Sequence, residues 1–423
     1  MKKSPYPLEQ DLGMRWYASD AGGIGGKLKS TAEDFLVGEI PLPSHGGTGP
    51  YLICRLTKRN WEHQHAIKEI AKRLGISHRR IGWAGTKDRR AVTTQLISIY
   101  KVPSEAVENI QLGDITLEVV GQQNAQLSLG ELQGNRFDIM IREAAVPELA
   151  ARVQEITHDV ATGIPNYYGL QRFGGVRPVT HEVGERILAG DYEGAVVTYI
   201  GKAFPLEREN IRLVRTVFSK TRDPLASLHE FPVSLAYERA MLQHLHNNTG
   251  DYAGALQELP PRLLSMFVSA FQSYLFNEAL SRRIEEGYSF DDPKAGDRLV
   301  FASGKEDVVS LKNQQTAAQH IRRGRCSIAI FMPGKDPFFP SSESEQYMKG
   351  LMEERGISAE NFRQASVFVK TKFEGALRPV ALQTAIEAGT EDTNVRLQFT
   401  LPPGHYATTV AREYMKADPL QMV

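Results

Sequence analysis

The run Gly85-Thr86-Lys87-Asp88-Arg89-Arg90-Ala91-Val92-Thr93-Thr94-Gln95 places one acidic residue among three cations. Neighbouring positive charge favours an ionised carboxylate. An aspartate of that kind suits a nucleophile or an electrostatic stabiliser better than a general acid. Lys87, Arg89 and Arg90 could meanwhile hold phosphates. A surface ion-pair cluster would use the same letters, so the run alone leaves both readings open. It closes a longer basic stretch. Between Arg55 and Arg90 eleven Lys and Arg face only Glu62, Glu69 and Asp88, although the whole chain balances 50 basic against 50 acidic residues. Such asymmetry is what a polyanion-binding face needs in a neutral protein.

Other chemistry finds less support. Gly22-Gly23-Ile24-Gly25-Gly26-Lys27 fails the phosphate-loop spacing, because Ala21 and Leu28 stand where Gly and Ser/Thr are needed. It reads as a flexible turn. His63 and His65, like His244 and His246, lie two apart, which does not place both on one helix face. No nearby cysteine or carboxylate completes a zinc set. There is no G-x-S-x-G elbow and no dinucleotide fingerprint after a strand. No metal and no cofactor are therefore expected. Asn166 to Gly175 mixes Tyr, Phe, Arg, Gln and Gly, which suits stacking on bases. It suits a buried aromatic corner equally well.

The elements that must carry these residues follow from periodicity. Phe35–Ile40 and Tyr51–Leu56 read as strands joined by turn material from Pro41 to Pro50, hence as an antiparallel pair. Apolar residues from Trp61 to Leu74 recur at helical spacing, with Asn60 as the cap and Lys68, Lys72 and Arg73 on the opposite face. Asp88 then lies in a turn that feeds a β-rich run from Ala91 to Tyr100. Further strands are predicted at Ile115–Val120, Arg136–Arg142, Ser327–Phe331, Ala365–Val369 and Asn394–Leu401. Helices are predicted at Pro147–Thr162, Pro261–Glu286, Ser342–Arg355 and Tyr406–Met415. Sheet-rich ends thus flank a helix-rich middle, as when one domain is inserted into another.

At 423 residues, with 41% hydrophobic and 24% charged, the chain suits two or three globular domains rather than disorder. Cys54 and Cys326 are too far apart in sequence for a C-x-x-C motif. No apolar run follows the first lysines, and none approaches the ~20 residues that span a bilayer. A cytoplasmic protein without a signal peptide or membrane anchor is expected.

Several segments together resemble the TruD family of pseudouridine synthases, its archaeal branch in particular. They run in order from Lys29-Ser-Thr-Ala-Glu-Asp-Phe35 through Lys58-Arg-Asn60-Trp61 and Ile81 to Gln95. Gly134-Asn135-Arg-Phe137, Pro165 to Gly174, Ser269 to Asn277 and Phe399 to Glu413 complete the set. The resemblance implies an α+β fold. A mixed, mainly antiparallel catalytic sheet domain would be formed by residues 1–165 and 375–423, with a helix-rich α/β domain inserted over 166–374. It implies the isomerisation of uridine in tRNA, at position 13 of the D arm, with no cofactor or metal. Asp88 matches the family's nucleophile. Phe137 matches the aromatic that packs on the target base. Phe35, Asn135 and Phe399 match positions lining the uracil pocket, and Lys29 a basic residue beside the aspartate. Arg79 and Arg80, with Lys87, Arg89 and Arg90, are expected to contact phosphates. The partner would be tRNA, bound by a monomer.

Two other classes compete. A non-catalytic RNA-binding protein or RNA chaperone would keep the basic face without the chemistry. The intact motif around Asp88 argues against it. A nuclease would need a metal cluster or paired histidines, and the sequence offers neither.

Overall fold

A computed structural model describes residues 1–43 and 47–422. The centre of the expected Pro41 to Pro50 turn lies outside the described residues. Nine strands form the main sheet. Seven of them run in the order Ile386–Glu391, Asn394–Leu401, Leu132–Arg142, Phe35–Pro41, Val92–Tyr100, Tyr51–Arg59, Ile115–Gln123. The short strands Lys27–Leu28 and Ile81–Trp83 pair alongside. Every pairing is antiparallel except that of Phe35–Pro41 with Val92–Tyr100. The expected direct pairing of Phe35–Pro41 with Tyr51–Arg59 is corrected here. Their directions are antiparallel, but Val92–Tyr100 lies between them and takes the hydrogen bonds of both.

Alternation explains how the sheet buries its faces. Val395, Leu397, Phe399 and Leu401 point one way, as do Phe137, Ile139 and Ile141 on the neighbouring strand, and all are buried. The helices Leu149–Asp159 and Ala407–Met415 cover them. A separate core joins Leu52, Cys54, Leu56, Ile97 and Ile99 to the helix His63–Arg73. That helix begins two residues later than expected. Its cap is Glu62, whose carboxylate accepts Gln64 N–H at 3.0 Å and His65 N–H at 2.7 Å. Asn60 instead takes a left-handed backbone conformation (φ 57°) that turns the chain into the helix. The two sheet cores meet at the parallel pair. Parallel pairing sets the starts of both strands side by side, so residues just before Phe35 and just before Val92 become neighbours.

The third and largest core belongs to the helices. Pro261–Glu285 runs through it, with Phe267, Phe271, Leu275 and Phe276 fully buried. Leu12 and Met14 join this core from the N-terminal segment. A four-stranded antiparallel sheet borders it, in the order Glu306–Val308, Arg298–Phe301, Cys326–Met332, Ala376–Pro379. The last strand lies beyond the expected 374/375 boundary, because its backbone is taken up by Cys326–Met332. The chain crosses between the two halves where Ile164–Pro165 pairs with Ala381–Leu382.

Ala365–Val369, expected as a strand, is the end of a helix, Ala359–Val369. Ser358 and Asn361 form its capping box, and Phe362, Ala365 and Val369 lie on its buried face. The Gly22 to Gly26 segment is a turn, but a packed one. Ile24 is buried, and the N–H groups of Ile24 and Gly25 bond the carbonyls of Tyr414 and Met415 at 2.9 and 3.0 Å.

Candidate active site

A cleft of about 480 Å³ opens beside the parallel pair. One wall carries Phe35, Val37, Asn135, Phe137 and the loop Ala84 to Asp88. The facing residues are Gln171 and the segment Pro403 to Thr408. Asp88 is about one-third exposed at this wall. Its Oδ1 accepts Lys29 Nζ at 2.9 Å. Lys29 is itself buried, and its ammonium stands 4.0 Å from the Phe35 ring centroid. It adopts a left-handed backbone conformation (φ 56°), which costs energy for a residue with a Cβ.

The aromatic set follows from the sheet register. Phe137 lies opposite Phe399 across one strand pair and opposite Val37 across the other. The Phe137 and Phe399 rings stack with centroids 5.5 Å apart, and Phe35 meets Phe137 edge-on at 6.1 Å. Phe35 and Phe137 therefore face the cleft, and Phe399 supports Phe137 from behind. Asn135 sits at the strand start, where the close approach of Leu401 O leaves no room for a Cβ on Gly134. The Asn135 Oδ1 is buried and has no hydrogen-bond partner among the described residues.

The cations around Asp88 differ from those its sequence neighbours suggest. Lys87 is a correction. Its ammonium turns inward and pairs with Glu39 at 2.6 Å, both side chains being almost fully buried. Arg80 bonds the main-chain carbonyls of Tyr100 and Lys101 and so fastens its own turn. Arg79, Arg89 and Arg90 are exposed. So are Lys68, Lys72 and Arg73 on the helix face. The Asp88 carboxylate pairs instead with Lys29, which is distant in sequence.

Three buried side chains that were not singled out for a role hold the Asp88 loop. Gln95 Nε2 donates to Gly85 O at 3.0 Å. Glu39 takes Lys87 and also Leu96 N–H, at 3.2 Å. Lys58 Nζ donates to Asp88 O at 2.7 Å and to Trp61 O at 2.9 Å. The signal for Lys58 was its strand parity, shared with Leu52, Cys54 and Leu56.

Across the cleft, the Asn166 to Gly175 segment proves to be a buried corner. Tyr167, Tyr168 and Phe173 are buried, while Gln171 reaches the cleft. Arg378 ties this corner to the tail. Its guanidinium lies 3.9 Å from the Tyr168 ring centroid and bonds Asn166 Oδ1 at 2.9 Å and Gly404 O at 3.0 Å.

Among the described residues no group of three or more His, Cys, Asp or Glu could hold a metal ion. No described helix is long and apolar enough to cross a membrane. Residues 11–414 match the family model described as tRNA pseudouridine synthase D (TruD). A protein of Methanosarcina acetivorans named a probable tRNA pseudouridine synthase D is 40% identical, over 98% of each chain. One of the same name from Archaeoglobus fulgidus is 35% identical, over 97% of this chain and all of that one. A crystal structure from Methanosarcina mazei, described as the "Putative tRNA pseudouridine synthase D (TruD)", superposes with a TM-score of 0.84. It is 38% identical and covers 99% of this chain and all of its own. The α+β architecture matches that structure throughout, and the chain belongs to the tRNA pseudouridine synthase D family, a family of isomerases.

Proposed function

We propose that this chain isomerises a uridine of tRNA to pseudouridine, at position 13 of the D arm, with Asp88 as nucleophile. The observation that carries the proposal is the Asp88 carboxylate at the wall of a base-sized cleft, ion-paired with Lys29 and flanked by Phe35 and Phe137. The reaction breaks the bond from C1′ to N1, turns the uracil and joins C1′ to C5. The proton at C5 leaves and N1 gains one, so atoms balance without water or redox change. One carboxylate suffices, either by attack or by taking a sugar proton. The chain would act as a monomer and without a cofactor.

Each neighbour has a part in this reading. Phe137, backed by Phe399, offers a flat apolar surface to the uracil, and Phe35 closes its edge. Asn135 also lines the cleft and would contact the base there. Lys29 holds the Asp88 carboxylate in place for attack and offers it a countercharge when it leaves. A stacked base is out of reach, so the uridine must be flipped, at a cost of a few kcal/mol. Phosphate contacts from Arg79, Arg89 and Arg90 and from the helix face of Lys68 and Lys72 would offset that cost. The helical half, reaching the cleft through Gln171, would form the second wall around the RNA.

The test is tritium release from tRNA carrying [5-³H]uridine, with wild type and Asp88→Asn in parallel. Release by wild type alone, with tRNA binding kept by both, is the expected result. Tight binding without release by either would move the chain to the RNA-binding class. Equal release by both would remove Asp88 as nucleophile.

A further inference from the structure

Lys58 has 0% of its surface exposed. A cation at that depth is costly unless its donors are satisfied and an anion is near. Among the described residues both of its hydrogen bonds go to main-chain carbonyls, those of Asp88 and Trp61. No carboxylate lies within ion-pair distance of it among the described residues; Asp88 and Glu62 act on it from farther off. Burial pushes its pKa down to about 8, against the pull of those two carboxylates. For packing alone, an apolar side chain of similar volume would serve at lower cost. The position of the ammonium is therefore the feature to explain.

It lies behind the turn that presents Asp88. Asn60 N–H bonds Ala91 O at 3.1 Å, so residues 58 to 61 wrap the stretch from Asp88 to Ala91. Asp88 is consequently gripped at two ends, its carboxylate by Lys29 and its carbonyl by Lys58.

We propose that Lys58 is a positioning residue for the isomerisation, its ammonium fixing the main chain of Asp88 and thereby the line along which the carboxylate meets the sugar or base. This rests on Asp88 being the nucleophile. A displacement of about 1 Å at a reacting group costs about 100-fold in rate.

Wild type, Lys58→Met, Lys58→Gln and Asp88→Asn are compared by tritium release, tRNA affinity and thermal midpoint. Lys58→Met is expected to lower kcat about 100-fold while KM and tRNA affinity stay within about threefold. Its thermal midpoint should fall little, since burial of a charge is removed along with two hydrogen bonds. Wild-type kcat should also fall above about pH 8 as Lys58 loses its proton, and that limb should be absent from Lys58→Met. The groups facing Lys58 are Asp88, Glu62, Lys87 and His63. A Lys58→Met kcat within about twofold of wild type, or a limb that survives in it, overturns the proposal. So does a kcat loss matched by equal losses of affinity and stability. If Lys58→Met fails to fold, Lys58→Gln and the wild-type profile decide, and a kcat flat from about pH 7 to 9.5 overturns it. An active Asp88→Asn instead removes the nucleophile reading itself, whatever Lys58→Met does.

Discussion

The helical half and the Asp88 cleft both bury charge, but they do so differently. In the helical half, two buried arginines meet carboxylates. Arg283 forms a two-pronged pair with Asp297 at 2.7 and 3.0 Å, and Arg215 pairs with both Glu207 and Glu238 at 2.8 Å. Asn277 on the central helix bonds Leu12 O, Tyr168 N–H and Tyr168 O. Around the cleft one such pair, Lys87 with Glu39, stands beside looser matches. Lys58 rests on two carbonyls, Lys29 pairs with a partly exposed carboxylate, and Asn135 Oδ1 has no partner among the described residues. Matched buried pairs fix geometry. Loosely matched ones leave capacity for a ligand and are costly to maintain, which marks a site under functional demand.

The contrast predicts opposite phenotypes for two lysine-or-arginine deletions. Arg283→Met leaves Asp297 buried without its cation and should cost about 3–5 kcal/mol of stability. Folded enzyme should keep its kcat; denaturant melts and tritium release on the same sample separate the two. Lys29→Met should do the reverse. Its partner Asp88 is exposed enough to be solvated, so the melting point should move little while kcat falls about 100-fold. Equal stability losses in the two variants would end the distinction between the regions.

Two buried histidines sharpen it further, one in each region. Burial pushes His181, set between Phe173 and Tyr274, down to about 3, and His63, edge-on to Trp83, down to about 4. Both are neutral in the fold, whereas in the unfolded chain each takes a proton near pH 6.5. The unfolded state then binds more protons, so stability is full above about pH 6.5 and falls as pH falls towards 4. Urea midpoints across that window should show the decline, and His181→Leu should reduce its slope by about one proton. An unchanged slope would mean that His181 is charged in the fold. The smallest effect is expected at an ordinary helix cap. Asp191 accepts Gly194 N–H at 2.8 Å. Asp191→Ala should cost ~1 kcal/mol and leave kcat alone. A change in kcat would show that the helical half acts on the cleft.

Much of the architecture was legible where one signal dominated. The Pro261 helix runs on with no Gly or further Pro to break it, and the strand Asn394–Leu401 alternates cleanly. The errors fell where two signals competed. Ser366-Val367-Phe368-Val369 favours strand by composition, yet the capping box at Ser358 starts a helix that carries through it. Strand neighbours were misjudged because adjacency in sequence does not fix adjacency in a sheet with a parallel insertion. The site shows the same limit. Asp88 and its surrounding motif were readable, but Lys87 turns away and Lys29 arrives from 59 residues earlier. Lys58 stood in a quoted motif without a role. Its burial was encoded in the parity of its strand, a signal that charge counting overlooks.

The crossing at Ile164–Pro165 and Ala381–Leu382 has a consequence for the chain as it is made. The strand Leu132–Arg142 pairs on one side with Phe35–Pro41, which precedes it, and on the other with Asn394–Leu401, which emerges some 250 residues later. At ~5–20 residues per second, that delay is on the order of ten to fifty seconds. For that interval the edge that will receive Phe399 lies open at the ribosome, with Phe137, Ile139 and Ile141 covered by the helix Leu149–Asp159 but not yet by Ala407–Met415. The helical half, complete well before the tail, can fold in the meantime and hold the two parts of the sheet close enough to join.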